Sequence, residues 1–365
     1  MKRAVAGLVG LLMAGSAFAD VAVIESGRLA RIRATEKLRH SGHRRDRALI
    51  KSFGDKELVD AAGVQYFINT DLPFSTTFSG SGAATEANFT GPVNADTSGG
   101  GSVSATLTDA YDGYNSLCVS FTGAVGPCVA SDVANYTLYT QNGQASLDCN
   151  DRQVINPPQT IGSIQVQRKI FVPDNDQFAR WVNIFTNTGG GSQSVTAVIA
   201  NNLGSQENTT IFGSSNGNTT AELTDSWVAT DGNFTGMDAN DPRLGHVLQG
   251  PGARTPVSSV TFPVGASSDF PTWAYNFTLA PGETKIIVNY GVVQPTRAAA
   301  LAKSAALAGL GGAALDCLTP AERSNIVNFE ARGVTEIPTA SGFGLAALAL
   351  LLAGASFFAL RRRTV

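Results

Sequence analysis

Cys118, Cys128, Cys149 and Cys317 are the four thiols of this 365-residue chain. An even count suits two disulfides, and four cysteines allow three pairings. The short separation of Cys118 and Cys128 favours a loop closed between them, which leaves Cys149 for Cys317. No pair has the two-residue spacing of a zinc knuckle, so neither a metal nor another cofactor is expected. Gly213-Ser214-Ser215-Asn216-Gly217 fits the G-x-S-x-G pattern of a serine nucleophile, but its Asn-Gly pair and Thr-rich surroundings read as a hairpin tip. A serine nucleophile also needs a base, and the only histidine beyond His40 and His43 is His246. The chain therefore reads as non-catalytic. Asp174-Asn175-Asp176 and Asp238-Ala239-Asn240-Asp241 offer calcium-type oxygens without EF-hand spacing, and Asp and Asn favour turns for local reasons. Gly309, Gly311 and Gly312 lack the lysine of a phosphate loop. Trp181, Trp227 and Trp273 would stack on sugars if exposed and fill a core if buried.

The elements that must position these residues are mostly strands. Charged residues make up 15% of the chain and there are 39 glycines, which excludes a coiled coil or an acidic tail. Ser102 to Thr108 alternates Val103, Ala105 and Leu107, and Ile164, Val166, Ile170 and Val172 alternate with Arg168 as an interruption. Period two predicts strands with one buried face. Trp273, Tyr275, Phe277 and Leu279, then Pro281-Gly282, then Ile286, Val288, Tyr290 and Val292 predict a hairpin. Asp112-Gly113, Asn142-Gly143, Asn216-Gly217 and Asp231-Gly232 are further turn candidates. A short helix is predicted over residues 55–62. Another follows Pro295, ending at the glycines after Ala308. A third runs from Thr319-Pro320-Ala321-Glu322, an N-cap, first-turn proline and capping-box glutamate, to about Ala331.

The two ends and the charge distribution speak of location. Lys2 and Arg3 precede an apolar run and the small residues Ala17-Phe18-Ala19, the layout of a secretory leader cleaved between Ala19 and Asp20. Gly342 to Leu360 is an uncharged stretch of 19 residues closed by Arg361, Arg362 and Arg363. A helix of that length approaches the roughly 30 Å of bilayer hydrocarbon, and the arginines should stay cytoplasmic. Residues 28–51 carry nine basic side chains against Glu36 and Asp46, whereas residues 52–335 carry 12 basic and 24 acidic ones. An acidic folded body is a poor partner for nucleic acid, while the basic arm reads as a solvated linker able to meet anionic surfaces.

Ile337, Pro338, Thr339, Ala340, Ser341, Phe343 and Gly344, ahead of that apolar stretch and basic cluster, resemble the IPTL-CTERM sorting tail of Gram-negative bacteria, a relative of the PEP-CTERM signals. The family motif runs Ile-Pro-Thr-Leu-Ser, a variable residue, an aromatic and Gly, and this chain departs from it at Ala340. The resemblance implies handling by an exosortase, a membrane-embedded cysteine transpeptidase that cuts near the motif. Pro338 lacks an amide hydrogen and pushes Ile337 toward the extended conformation that a protease binds. Residues Arg168 to Thr188 and the Asn201-Asn202-Leu203-Gly204-Ser205 turn resemble secreted bacterial domains with a mutarotase-like supersandwich. A mutarotase would want a histidine pair with a carboxylate, and His246 has no second histidine beside it in the sequence.

The resulting expectation is a mainly β protein, an antiparallel β-sandwich, one large or two packed, with a helical C-terminal segment and a single C-terminal transmembrane helix. Its parts are a leader (1–19), a basic arm (20–54), the sandwich (55–294), a helical segment packed on it (295–336) and the sorting tail with its membrane stop (337–365). The Sec export machinery, an exosortase-type transpeptidase and, transiently, the inner membrane are the expected partners. The expected destination is the periplasmic face and then the cell surface or extracellular matrix. Extracellular polysaccharide is the alternative partner, through a carbohydrate-binding or carbohydrate-processing sandwich.

Overall fold

Phe185 and Phe277 meet edge-on with ring centroids 5.2 Å apart, and they come from different sheets. The computed structural model describes residues 56–70, 80–97, 99–126, 128, 134–140, 145–205, 209–232 and 241–331. The Ala19–Asp20 junction, the basic arm, Ile337 to Gly344 and Arg361 to Arg363 lie outside the described residues. Up to Glu330 the chain forms one unit; a second begins at Ala331 and lies almost wholly outside them.

The larger sheet has nine strands. In spatial order they are β14 (Thr209–Ser214), β15 (Trp227–Gly232), β16 (Arg243–Val247), β19 (Thr284–Gln294), β12 (Ala179–Asn187), β11 (Ile164–Phe171), β9 (Gln153–Ile155) and β8 (Ser146–Asp148), with β10 (Gln159–Ile161) paired to β11. The smaller sheet orders β17 (Ser259–Thr261), β18 (Thr272–Leu279), β13 (Gln193–Ala200), β6 (Ser116–Ser120) and β7 (Thr137–Leu138). Val195, Ala197 and Ile199 of β13 and Trp273, Tyr275 and Phe277 of β18 share one core with Val166, Trp181, Phe185 and Ile287 of the larger sheet. This is the expected antiparallel sandwich. Two small sheets extend that core: β1 (Lys56–Val59), β2 (Val64–Ile68) and β3 (Ala84–Phe89), then β4 (Val93–Asp96) with β5 (Ser102–Ala105).

The outer face of the larger sheet is covered by the segment after Gln294. Helix α1 (Arg297–Ala308) starts at Thr296, whose side chain accepts the Ala299 amide, and stops at Gly309. Gly213 of β14 and Gly245 of β16 make room for it: a Cβ at Gly213 would meet Leu301 Cδ2 at 2.8 Å, and one at Gly245 would overlap Ser304 Oγ. Helix α2 (Pro320–Asn325) forms the expected capping box between Thr319 and Glu322. It ends six residues before the position predicted, because Ile326 turns extended and bridges Ile286 of β19. Asn328 then accepts the Val288 amide at 2.9 Å and donates to the Val288 carbonyl at 2.7 Å, as a further strand would.

Three local expectations are corrected. Residues 56–59 form β1 and not a helix, because Asp60 Oδ1 accepts the amides of Ala62 and Val64 at 2.9 and 3.0 Å and turns the chain into β2. Asp231-Gly232 ends β15 inside the sheet and is not a turn. The predicted hairpin is a corner: β18 pairs with β13 while β19 pairs with β12, so Pro281-Gly282 carries the chain from one sheet to the other. The alternating pattern specifies a buried face but not which strand lies alongside. Among the described residues, no helix is long and apolar enough to cross a membrane.

Candidate functional site

Both cysteine pairs are bridged. Cys118, in β6, closes the short loop to Cys128 with Cα atoms 6.1 Å apart, and Cys149 joins Cys317 at 5.9 Å across 168 residues. The second bridge ties the segment between the two helices to the end of β8.

His246 sits in β16, fully buried, with Nε2 at 2.9 Å from Thr230 Oγ1 and Nδ1 at 3.1 Å from Tyr114 Oη. The rings of Tyr114, Trp273 and Phe262 surround it. Burial pushes its pKa down to about 3, so it is a neutral core residue with both ring nitrogens engaged. Ser215 is not its partner. Its hydroxyl donates to Asp225 Oδ1 at 3.0 Å and accepts the Ser226 amide at 2.8 Å, closing the tip between β14 and β15 as the Asn-Gly pair predicts.

Trp181 and Trp273 are 0% and 1% exposed, which removes them as sugar-stacking surfaces. Trp181 donates Nε1–H to the Gly82 carbonyl at 2.7 Å and stands edge-on to Tyr114 at 5.2 Å. Large rings at alternating positions of inward-facing strands fill the space between sheets, and that geometry outweighs the sugar reading. Trp227 is half-buried at the start of β15.

The calcium candidates divide. Asp176 pairs with Lys303 of α1 and accepts the amides of Gln177 at 2.8 Å and Ala313 at 3.1 Å. Burial raises its pKa, but the Lys303 hydrogen bond and these amides outweigh it and leave the carboxyl below the usual range. The loop containing Gly312 therefore wraps a carboxylate of the chain itself. The rest of the second candidate, residues 238–240, lies outside the described residues. Among the described residues, no group of three or more His, Cys, Asp or Glu could hold a metal.

The interruption at Arg168 is a buried guanidinium. It donates to Asn183 Oδ1 at 2.8 Å, the Ser81 carbonyl at 3.0 Å, and the Asn115 carbonyl and Oδ1 at 2.6 and 2.7 Å. Burial pulls its pKa down to about 9. A long cation inside the sandwich pins the loops before β3 and β6 to β11, which is a structural task.

The outer face of the smaller sheet holds what sequence reasoning missed. Cys118, Cys128, Tyr136, Val198, Ala200 and Ala274 form a small apolar cluster over one half of that face. The other half is a depression of about 330 Å³ lined by Ser120, Phe121, Ser194, Thr196, Asn276 and Thr278 among others. Thr196 Oγ1 donates to Asn276 Oδ1 at 2.8 Å, and Ser194 and Thr278 hydroxyls lie 3.4 Å apart. The signal was present as Ser120, Ser194, Thr196, Asn276 and Thr278, at alternate positions of one half of β6, β13 and β18, opposite the core-facing residues.

No known family profile and no curated protein matches the chain. Among solved structures, it is similar to a TPR-domain containing protein from Parabacteroides distasonis at 13% identity and TM-score 0.39, over 64% of this chain and 46% of that one. A polysaccharide lyase aligns at 12% identity and TM-score 0.36, over 66% of this chain and 34% of the lyase. A galactose mutarotase-like protein from Lactobacillus casei aligns at 9% identity and TM-score 0.37, over 66% of this chain and all of its own length. The chain thus spans less than half the length of the first two.

Proposed function

We propose that this chain is an exported, non-catalytic sandwich of a Gram-negative envelope or extracellular matrix, carried through the inner membrane by its leader and sorted by its C-terminal tail. The observation that carries the proposal is the pair of disulfides, above all Cys149–Cys317, which joins distant parts of the fold. Structural disulfides persist in oxidising compartments and are rare in the cytosol. The polar groups that sequence alone offers for chemistry are engaged in holding the fold: His246 with Thr230 and Tyr114, Ser215 with Asp225, and Asp176 with Lys303. In this reading the stretch from Gly342 to Leu360 holds the chain in the inner membrane until a transpeptidase cuts near Ile337 to Gly344. Mass spectrometry of the mature C-terminus tests it: an end near that motif supports sorting, and an intact Arg361 to Arg363 in the final surface product would remove it.

A second reading, that the sandwich binds carbohydrate, is favoured by the polar depression beside Phe121.

A further inference from the structure

We propose that the depression between β6, β13 and β18 is a binding site for a neutral polysaccharide; this rests on the carbohydrate reading and gives it a place.

The strand register builds the floor. Ser120 stands opposite Thr196, and Thr196 stands opposite Asn276, so three polar side chains lie side by side on three neighbouring strands. Ser194 and Thr278 repeat the row two residues along. With strands about 4.8 Å apart and residues rising about 3.4 Å each, these two rows span roughly 10 by 7 Å, an area matching one or two sugar rings. The Thr196 hydroxyl fixes the orientation of Asn276 by donating to its Oδ1, which turns the exposed amide NH₂ outward as a donor. Hydroxyls and one oriented amide suit a ligand that both donates and accepts along its whole length.

Phe121 supplies the wall. The residue is 38% exposed, and its ring lies against Gly162, where an added Cβ would meet Phe121 Cε2 at 3.0 Å. The Cys118–Cys128 bridge begins three residues before it and closes the loop that carries it. A fixed aromatic beside a hydroxyl floor is an apolar face next to a polar one, the pattern a pyranose itself presents.

The lining decides the class of ligand. None of the residues that form the depression is ionisable. Lys285, beyond the lining, donates to the Thr278 carbonyl at 2.6 Å and is paired with Glu283 at 3.5 Å. An acidic polymer or an anionic headgroup would find no charge to meet, whereas a neutral glycan would lose none. About 330 Å³ is also at the small end of ligand sites, which run from roughly 300 to 1,000 Å³.

The test is calorimetric titration of the purified full-length protein with a neutral glucan, a neutral galactan and alginate. Saturable binding to a neutral polymer is expected, insensitive to salt, and weakened about tenfold or more in Phe121→Ala and in Asn276→Ala. Thermal melting of both variants close to that of the parent ascribes the loss to the site, and Asn276→Ala, on an exposed side chain, serves if Phe121→Ala loosens the loop. Lack of binding to either neutral polymer, equal binding by both variants, or binding to alginate alone that fades with salt would overturn the proposal. Such a failure leaves the export reading untouched, since that rests on the disulfides and is tested at the mature C-terminus, not on this face.

Discussion

The amide of Gly282 donates to the carbonyl of Asn187 at 2.9 Å, so the corner from β18 to β19 is bonded to the corner from β12 to β13. Asn187 returns the favour with its side chain, donating Nδ2 to the Leu279 carbonyl at 3.0 Å and to the Gly191 carbonyl at 2.8 Å. One fully buried side chain thereby closes the end of the sandwich where both connections change sheets.

Asn187→Ala should therefore destabilise the protein by about 1–3 kcal/mol, because it takes the side-chain donor from the buried Leu279 carbonyl. Urea unfolding would show a lowered midpoint with an unchanged slope. A change under 0.5 kcal/mol, the scale of an ordinary surface substitution, would mean that the corner closes without this side chain.

The fit of α1 over β16 gives a second prediction. Gly245→Ala should lose about 1–3 kcal/mol through overpacking against Ser304, whose buried hydroxyl has no partner among the described residues. Ser304→Ala alone should be neutral or mildly stabilising, and the double substitution should recover part of the loss. Equal melting losses in the single Gly245→Ala variant and the double variant would contradict this packing.

Two buried groups set opposite pH dependences. Burial raises the Asp60 pKa from 3.8 to about 7 despite the amides it accepts, so its contribution is full below pH 3.8 and is lost as pH climbs to 7. Burial lowers His246 from 6.5 to about 3, so its contribution is full above pH 6.5 and is lost as pH falls to 3. Between pH 3.8 and 6.5 the two slopes, each up to about 1.4 kcal/mol per pH unit, oppose one another. Relative to the parent, Asp60→Asn should lose stability more steeply toward acid and His246→Gln more steeply toward neutral pH. Denaturant midpoints across pH 3.5–7 check the signs, and parallel profiles for all three proteins would contradict the assignments.

The two disulfides should differ in weight. In the chain-entropy view, closing the 168-residue separation of Cys149 and Cys317 stabilises by about 5 kcal/mol, against about 3 kcal/mol for the separation of ten between Cys118 and Cys128. Paired Cys→Ser replacement at 149 and 317 should lower the melting temperature more than the same change at 118 and 128. The reverse order, read by differential scanning calorimetry, would show that the short loop and not the long one governs stability.

How far the sequence reached is visible in particular residues. Period two in Ile164 to Val172 and Trp273 to Leu279 declares a buried face, and Thr319 with Glu322 declares a helix start, because both signals are local. The partner of a strand is not local, which is why Pro281-Gly282 read as a hairpin and proved to be a corner. Arg168 looked like a break in its strand because its acceptors, Ser81, Asn115 and Asn183, come from three separate stretches of chain. The tryptophans could be placed only once two sheets faced each other. The depression beside Phe121 needed three strands aligned in register before its polar rows became a surface.

The most direct test of the account is non-reducing peptide mapping of the protein recovered from its native cells. The account predicts an N-terminus at Asp20 and two cross-linked peptide pairs, Cys118 with Cys128 and Cys149 with Cys317. Four free thiols on a chain that still begins at Met1 would contradict it.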